Sequence, residues 1–468
     1  MTKKIIVIGA GPGGYETAIR AAQLGLDVIL IDKDKKELGG TCLNRGCIPT
    51  KTYFKNAEIA NSFNRKEEFG FEFDNYNING KRLQERKNEV VTQIRSGIEF
   101  LVGSYKNLEL IEGLASFVDS KTIKIALKEG GEREETADYI VIATGSVPFV
   151  PPIKGADLEG IMTSDELLDI DYVPESMAII GGGVIGLEFG CIYNELGTKV
   201  SVITNEVLGS ADEEIQKRMP SFLKKAGIEL IKGARASLIE KDGEGYKVTA
   251  DIIGKDKTKE VSAKTLLIAT GRRPFYDGLN LEAAGIEVDR GIVVDENLET
   301  TAKGVYAIGD VIKNSMQLAH WASFQGVSLV EKLVKGSSEI VIDVVPAATF
   351  SFPEVSQVGI TEQEAKEKGI KYVKSKFNFS GNGKAVSLGE AEGFVKIIAK
   401  EDLSEILGVH IVGPHANDLI HEGAIAIANK LSVSDIAKVV HAHPTLSEAF
   451  MEAVHQLEGA SIHSAPAK

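Results

Sequence analysis

The stretch IIVIGAGPGG, residues 5–14, decides how the N-terminal part of this chain folds. Its four apolar residues predict a buried strand, and Gly9, Gly11 and Gly14 follow it directly. In a β-α-β unit the first glycine permits a tight turn, the second lets a pyrophosphate approach the backbone, and the third lets helix and strand pack closely. A second apolar run ends at Asp32, 18 residues beyond Gly14, where a carboxylate can accept hydrogen bonds from an adenosine ribose. The sequence therefore predicts a dinucleotide-binding unit.

The same unit recurs farther along the chain, at residues 178–204. Its three glycines, with the same spacing, are Gly181, Gly183 and Gly186. Thr204 corresponds to Asp32, because it also lies 18 residues beyond the third glycine. A hydroxyl gives one neutral hydrogen bond and lacks the charge that repels a 2′-phosphate, so the choice between NAD and NADP stays open. Two such units imply two bound dinucleotides.

Two of the three cysteines lie five residues apart in the stretch TCLNRGC, residues 41–47, with Lys51 close behind. A zinc site needs further cysteine or histidine ligands, so we expect no metal. Residues five apart on a regular helix sit roughly 140° around its axis. The glycines at 39, 40 and 46 instead predict a distorted helix start, where the sulfurs of Cys42 and Cys47 could meet and a thiolate would be stabilised. We predict a reversible redox disulfide, with a buried structural pair as the alternative.

Composition and charge restrict the partners and the location of the protein. A length of 468 residues allows roughly three domains. The 53 basic and 67 acidic residues give a net charge of -14, which argues against nucleic acid or an acidic membrane as the main partner. Three cysteines make no secreted disulfide framework, and no signal peptide or transmembrane run is apparent, so we expect a cytoplasmic protein without a membrane partner. Cys191, the third cysteine, is expected to lie in the core.

The stretch CLNRGCIPTK, residues 42–51, resembles the redox-disulfide motif of the flavoprotein disulfide reductases, the class I pyridine nucleotide-disulfide oxidoreductases. Its sequence is most similar to that of the dihydrolipoamide dehydrogenase branch, whereas glutathione and mercuric reductases usually have the sequence VNVGCVP here. HAHPTLSE, residues 441–448, resembles the same branch. The chain also ends without the cysteine pair that mercuric reductases use. The resemblance runs from end to end and implies FAD at the first nucleotide site and a nicotinamide cofactor at the second.

The resemblance also implies roles for the chemical groups. The catalytic residues would be Cys42, which exchanges with the substrate, Cys47, which lies against the flavin, and His443 and Glu448, the acid/base and the carboxylate that holds it. A capping box formed by Thr445 and Glu448 is the alternative reading of that glutamate. Pro444 should begin the next helix and leave His443 on an exposed turn. His441 is the less favoured candidate for the acid/base.

Many cofactor-binding residues follow from the resemblance in the same way. Lys51 is expected near the reactive edge of the flavin and Glu188 near the nicotinamide, although Lys51 could instead be a solvated helix lysine. The others predicted for FAD are Gly9, Gly11, Gly14, Asp32, Gly40, Thr41, Ala115, Thr144, Gly145, Ser146, Asp310, Gln317, Leu318, Ala319 and His320. The others predicted for the nicotinamide cofactor are Gly181, Gly183, Gly186, Thr204, Ala236 and Gly271. Taken alone, His320 is more typical of a packed core histidine.

These expectations combine into one α/β architecture, with two Rossmann-like dinucleotide-binding domains and a C-terminal α+β dimerisation domain. The predicted boundaries are 1–148 for the first part of the FAD-binding domain, 149–273 for the NAD(P)-binding domain, 274–345 for the return to the FAD-binding domain and 346–468 for the dimerisation domain. The resemblance implies a homodimer, with an active site completed across the interface, that oxidises dihydrolipoyl groups on a separate carrier. A glutathione or mercuric reductase-like activity is one alternative. A structural, flavin-bearing docking subunit is the other.

Overall fold

The first nucleotide-binding unit is centred on a sheet that begins with the fingerprint strand, in a computed structural model that describes residues 2–464. Its elements are β1 (Lys4–Ile8), α1 (Pro12–Gln23), β2 (Asp27–Asp32), α2 (Gly40–Arg45), α3 (Cys47–Asn64), α4 (Gly80–Gly103), β3 (Leu108–Phe117), β4 (Thr122–Leu127), β5 (Glu132–Thr136), β6 (Tyr139–Ile142) and β7 (Ser146–Pro148). Strands β6, β1, β2 and β3 pair in parallel in that order, and β4 and β5 extend the sheet in antiparallel fashion. The apolar residues of β1 are fully buried, as expected for a parallel strand covered on both faces.

The second nucleotide-binding unit repeats this arrangement with a smaller sheet. Its elements are α5 (Ser164–Leu167), β8 (Ser176–Ile180), α6 (Val184–Glu195), β9 (Lys199–Thr204), α7 (Glu213–Lys225), β10 (Glu229–Lys232), β11 (Ala234–Asp242), β12 (Gly245–Ile252), β13 (Thr258–Ala263), β14 (Thr265–Ile268) and β15 (Arg272–Pro274). The parallel sheet has the order β10-β9-β8-β14, and β11, β12 and β13 form a separate antiparallel sheet. Strand β15 pairs with β7, so the two crossover segments between the units lie side by side.

The chain then returns to the first unit through β16 (Val305–Ala307) and α8 (Ala319–Lys335). Strand β16 pairs in parallel with β6 and completes a seven-stranded sheet, while α8 packs against α1. This return places the end of β16 and the start of α8 at the same sheet edge as the first fingerprint loop. Ligands bind at this edge in open α/β sheets.

The C-terminal region combines helices and strands, as predicted for an α+β domain. Its elements are β17 (Ala347–Thr349), β18 (Glu354–Gly359), α9 (Glu362–Glu367), β19 (Tyr372–Asn378), α10 (Gly383–Ser387), β20 (Phe394–Lys400), β21 (Ile406–Gly413), α11 (Ala416–Ala428), α12 (Val433–Ala437) and α13 (Glu448–Leu457). An antiparallel sheet of order β17-β18-β21-β20-β19 packs against α11 and α13. The predicted fold class is thus confirmed. Residue 1 and the last four residues of the predicted dimerisation domain, 465–468, lie outside the described residues.

One local prediction here is wrong. Helix α13 begins at Glu448 rather than at Pro444, whose peptide bond with His443 is cis. His443 does lie on an exposed bend, as expected. Among residues 2–464, no helix is long and apolar enough to cross a membrane.

Candidate active site

One continuous cavity of about 1500 Å³ joins the two fingerprint loops and the cysteine stretch. The first loop contributes Gly9 and Gly11 to its wall, and the second contributes Gly181 and Gly183. The third glycine of each fingerprint does not line the cavity. A Cβ on Gly14 would lie 1.8 Å from the carbonyl oxygen of Gly9, and one on Gly186 would lie 2.1 Å from that of Gly181. These two glycines are therefore required by packing, which is the role the fingerprint predicts.

The first half of the cavity has the features that a dinucleotide requires. Gly9 makes the turn with φ of 101°, and α1 begins without a side-chain cap, so its first N–H groups are open to a phosphate. A Cβ on Gly40 would lie 2.5 Å from the Cα of Gly11, so the cysteine stretch packs directly on the fingerprint loop. The Oδ2 atom of Asp32 accepts a hydrogen bond of 2.6 Å from the N–H of Ala10, and burial raises the pKa of this carboxyl. These residues fit FAD, with its adenosine half near Asp32.

Gly46 interrupts the helix between the two cysteines. Cys42 lies in α2, and Cys47 is the first residue of α3, because the backbone of Gly46 is not helical (φ -147°, ψ -114°). A Cβ at Gly46 would lie 2.9 Å from the carbonyl oxygen of Thr41, so this position requires glycine. The cysteines are free in this structure and hydrogen-bonded to each other. The hydrogen bond from Cys42 lowers the pKa of Cys47 to about 7, assisted by the positive charge of Lys51 and opposed by burial. The same hydrogen bond, together with burial, raises the pKa of Cys42. A thiolate in this pair therefore resides on Cys47.

Lys51 is held by an ion pair that sequence reasoning did not predict. Its Nζ donates to both carboxylate oxygens of Glu188, each at 2.9 Å, and lies 4.3 Å from the centre of the Phe350 ring. Glu188 is only 4% exposed and also accepts a hydrogen bond of 3.0 Å from the N–H of Phe350. The alternative of a solvated helix lysine is therefore wrong. This group joins the cysteine helix α3 to the second nucleotide unit.

The crossover and return segments line the middle of the cavity. Ser146 donates to Asp310 at 2.7 Å, and burial raises the pKa of Asp310. Arg272 donates to the hydroxyl of Ser146 at 2.8 Å, and its carbonyl accepts a hydrogen bond from Gln317. His320 lines the cavity, is exposed, and contacts the carbonyl oxygen of Pro346 at 2.9 Å, so the reading as a core histidine is wrong. Partial desolvation of its ring by the surrounding cavity wall lowers the pKa of His320. Further predicted residues on the cavity wall are Thr41, Ala115, Thr144, Gly145, Leu318 and Ala319.

The second half of the cavity is formed by the loop after β8 and the ends of β9 and β11. Gly181 has φ of 123°, and α6 begins without a side-chain cap. Thr204 lines the cavity, and its hydroxyl donates to the carbonyl oxygen of Glu206 at 2.6 Å. Ala236 and Gly271 also lie on the wall, as predicted. The residues fit a nicotinamide dinucleotide, but no acidic side chain takes the position that Asp32 has in the first half.

His443 and Glu448 form a second chemical group away from this cavity. The Nδ1 atom of His443 contacts Oε1 of Glu448 at 2.9 Å, and the N–H of Thr445 donates to Oε2 at 2.9 Å. The capping box is only half formed, because the Thr445 hydroxyl donates to Ala442 instead of capping α13. Burial would raise the pKa of Glu448, but the bonds from Thr445 and His443 lower it overall. Glu448 thus both contacts the imidazole of His443 and accepts the N–H of Thr445, so the structure fits the catalytic and the capping interpretations of this residue.

A single chain does not bring this pair to the cysteines. Neither His443 nor Glu448 lines the cavity, and the His443 side chain is 78% exposed. His441, in contrast, is nearly buried and contacts Glu422 at 3.2 Å, which agrees with its weaker claim. Cys191 is buried in the core, as expected.

Sequence reasoning missed several cavity residues. Arg272 directly follows the predicted Gly271, so the sequence indicated this segment of the wall but not the arginine itself. Phe350 comes from the C-terminal region and gave no local signal. Arg235 lies on the wall directly before the predicted Ala236. Among residues 2–464, no group of three or more His, Cys, Asp or Glu side chains is arranged to hold a metal ion.

Comparison with known families agrees with this architecture. Residues 3–326 match the pyridine nucleotide-disulphide oxidoreductase family, and residues 345–454 match the dimerisation domain of the same family. Together these two matches extend from the first fingerprint strand into α13.

Individual proteins resemble the chain over nearly its whole length. The dihydrolipoamide dehydrogenase of Chaetomium thermophilum is 38% identical, over 98% of this chain and 92% of its own. A dihydrolipoyl dehydrogenase of Bacillus subtilis is 37% identical, over 98% of both chains. The crystal structure of LpdA from Mycobacterium tuberculosis superposes with a TM-score of 0.89 at 28% identity, over 97% of this chain and 100% of that one. With the two family matches, these similarities show that the chain belongs to the pyridine nucleotide-disulphide oxidoreductase family.

Proposed function

We propose that this protein is a homodimeric flavoenzyme that oxidises dihydrolipoyl groups to the cyclic disulfide and delivers the two electrons to a nicotinamide nucleotide. The observation that carries the proposal is the cysteine pair on the wall between the two nucleotide sites. One sulfur is poised as a thiolate, and the Lys51–Glu188 ion pair lies beside it. The names of the two relatives described above support the substrate class.

The thiol exchange requires an electrophilic and a leaving sulfur in the oxidised enzyme. A substrate thiolate attacks Sγ of Cys42, the Cys42–Cys47 bond breaks, and its electron pair goes to Cys47. The second substrate thiol, after losing its proton, then attacks the substrate sulfur bound to Cys42. The product disulfide forms, and Cys42 leaves and takes up a proton. This half-reaction thus oxidises one dithiol and reduces the enzyme disulfide to one thiol and one thiolate.

Three features favour Cys47 as the leaving sulfur. Cys42 donates a hydrogen bond to it, and Lys51 contributes a positive charge. Cys47 also begins α3, an 18-residue helix whose N-terminus stabilises negative charge. The hydrogen bond and the Lys51 charge lower the pKa of Cys47 to about 7 against burial and the negative charge of Glu188, so a thiolate is populated on Cys47 at neutral pH.

The cavity positions the cofactors for electron transfer. FAD, when bound in the first half, would accept the electron pair from the cysteines and supply a hydride to the nicotinamide. Asp32 and the N-terminus of α1 would hold its adenosine ribose and pyrophosphate, and Asp310 its ribityl side. Lys51 and Glu188 fix the wall at the junction of the two halves, where the nicotinamide would meet the flavin.

His443 and Glu448 would supply the proton transfers. Glu448 holds Nδ1 of the imidazole, which leaves Nε2 free to take the proton of a substrate thiol. The negative carboxylate also stabilises the imidazolium that results. This division of roles between the two ring nitrogens is the usual one for an oriented base.

The proton-transfer group must come from a second chain, because His443 lies outside the cavity of its own chain. Exposed apolar residues lie nearby, including Val439 and Val440, the latter 94% exposed. Burial of this apolar surface between two copies would drive association. The family match across the dimerisation domain supports the same arrangement. In the homodimer, His443 of each chain would face the Cys42 of the other.

The lipoyl group would arrive on a separate carrier protein or domain. The enzyme would thus act as a component of a 2-oxo-acid dehydrogenase complex or of a glycine cleavage complex. We place the enzyme in the cytoplasm, since three cysteines suit a reducing compartment in which a catalytic disulfide is transient.

The proposal is tested by assaying the FAD-loaded protein with dihydrolipoamide and NAD⁺ or NADP⁺, and in parallel with oxidised glutathione and reduced nucleotide. Rapid nucleotide reduction with dihydrolipoamide and no turnover of glutathione is expected. Preferential reduction of oxidised glutathione would contradict the proposal and support the alternative of a glutathione reductase-like activity. A protein that binds FAD but turns over neither substrate would support the structural-subunit alternative.

A further inference from the structure

We infer that the second nucleotide site accepts NADP as well as NAD, and that Arg235 is the residue that receives the 2′-phosphate. The inference rests on the proposed function only in assuming that a nicotinamide nucleotide occupies the second half of the cavity. It concerns the adenosine end of that nucleotide, where Thr204, Asn205 and Arg235 line the wall.

Thr204 offers little to a 2′-hydroxyl. Its side chain is buried, and its hydroxyl proton is used in the 2.6 Å bond to the carbonyl oxygen of Glu206. A Cβ on Gly182 would lie 2.7 Å from the Thr204 hydroxyl, so the side chain is closely packed against the fingerprint loop. The hydroxyl can therefore only accept a hydrogen bond, and it carries no charge to repel a phosphate.

The nearest carboxylate on the same loop is turned away. Glu206 does not line the cavity, and its Oε2 atom lies 2.6 Å from the position a Cβ on Gly209 would take. The loop is held in this course because the N–H of Leu208 donates to the carbonyl oxygen of Gly182 at 2.9 Å. Glu206 therefore does not replace the carboxylate that Asp32 supplies in the first half. The anion that normally excludes NADP is missing from the wall.

Arg235 supplies a positive charge on the same wall. It is exposed, lines the cavity, and makes no hydrogen bond or ion pair within residues 2–464. The turn before it is fixed against the Thr204 loop, because the N–H of Gly233 donates to the carbonyl oxygen of Asn205 at 3.1 Å. An arginine in this position can form a bidentate pair with a phosphate, and the exposed Asn205 amide can donate beside it.

Other charges near Arg235 do not cancel this effect. Lys232 precedes the turn and pairs with Thr204 in the strand register, so it adds positive charge. Asp251 lies opposite Arg235 on β12, but its carboxylate accepts a 3.0 Å bond from Ser237 and forms no ion pair with Arg235. The arginine therefore comes from β11, whereas a ribose carboxylate would lie at Thr204, the last residue of β9.

The test is direct binding of NAD⁺ and NADP⁺ to the oxidised, FAD-loaded protein by calorimetry, which needs no dithiol turnover. We expect the wild type to bind NADP⁺ within about tenfold of NAD⁺. Arg235→Ala should weaken NADP⁺ by roughly tenfold to a hundredfold and leave NAD⁺ nearly unchanged, which is the range for one charge-assisted hydrogen bond. Raising the salt concentration should weaken NADP⁺ more than NAD⁺.

Lys199→Ala is the matched control, since Lys199 is an exposed cation at the far end of β9 that does not line the cavity. It should leave the NAD⁺ to NADP⁺ ratio unchanged. Thr204→Glu restores a carboxylate and should weaken NADP⁺ by about tenfold or more relative to NAD⁺.

Three results would overturn the inference. They are wild-type binding of NADP⁺ more than about tenfold weaker than NAD⁺, equal weakening of both nucleotides by Arg235→Ala, and no change of the ratio in Thr204→Glu. Failure of the dihydrolipoamide assay with this binding pattern intact would refute the proposed function and leave the inference standing.

Discussion

The two groups that carry the chemistry differ in how far one chain completes them. Cys42 and Cys47 lie on a cavity wall beside the Lys51–Glu188 ion pair, and Glu188 is 4% exposed. His443, in contrast, is fixed at Nδ1 but has a side chain that is 78% exposed. In the function proposed above, the groups that transfer electrons are thus assembled within one chain, while the group that transfers protons would need a second chain. We therefore expect substitutions at the two groups to have different effects on dithiol oxidation and on flavin reduction by the nicotinamide nucleotide.

The largest effect is expected at the cysteines. Cys42→Ser and Cys47→Ser should each abolish dihydrolipoamide oxidation while FAD stays bound, because neither variant can form the disulfide. Stopped-flow spectra assign the two sulfurs. Cys42→Ser should keep the long-wavelength charge-transfer band of a thiolate against the flavin, and Cys47→Ser should lose it. The opposite pattern would reverse the assignment.

His443→Ala should lose about 10²–10⁴-fold in turnover with the dithiol, the usual range for a positioned acid/base. Reduction of the FAD by NADH should survive, since the electron-transfer half is complete without His443. Both rates are measured by stopped flow on the same preparation. An equal loss in both half-reactions would make His443 a structural residue.

A smaller loss is expected from Glu448→Gln, which keeps a hydrogen-bonding side chain but removes the charge that holds the imidazolium. Dithiol turnover should fall by roughly tenfold to a hundredfold, and the acid limb of its pH profile should move. Glu452→Gln is the matched control, because Glu452 holds His463 at 2.8 Å one turn farther along α13. Activity close to wild type in Glu448→Gln would leave only the capping role.

The smallest change is a shift in a titration. The lowered pKa of Cys47 means that its thiolate is present above about pH 7 and is protonated as the pH falls below that value. The charge-transfer band of the two-electron-reduced enzyme should therefore titrate with a midpoint near 7. Lys51→Met should raise the midpoint, because the positive charge of Lys51 favours the thiolate. A wild-type midpoint near the ordinary value of 9.0 would contradict this account of the pair.

Features that depend on local spacing were predictable from the sequence. The fingerprints gave their turns and packing glycines, and Gly46 gave the break between the cysteines, because each depends on neighbouring backbone atoms. Residues that line the cavity also followed, largely through resemblance of their motifs to a known family.

Pairings between distant residues were not predictable. Lys51 and Glu188 are 137 positions apart and meet only because α3 packs against α6. Phe350 reaches them from the C-terminal region. The helix start at Glu448 was also missed, since the preference of proline for a first helical turn was overridden by the bonds that Glu448 makes to His443 and Thr445.

Subunit complementation tests most directly whether two chains share each active site. Cys42→Ser and His443→Ala homodimers, each nearly inactive, are unfolded together and refolded as a 1:1 mixture. A shared site predicts recovery of about a quarter of wild-type dithiol turnover, because half the dimers are mixed and each mixed dimer holds one intact Cys42 facing one intact His443. Refolded mixtures no more active than the average of the two parents would contradict the account.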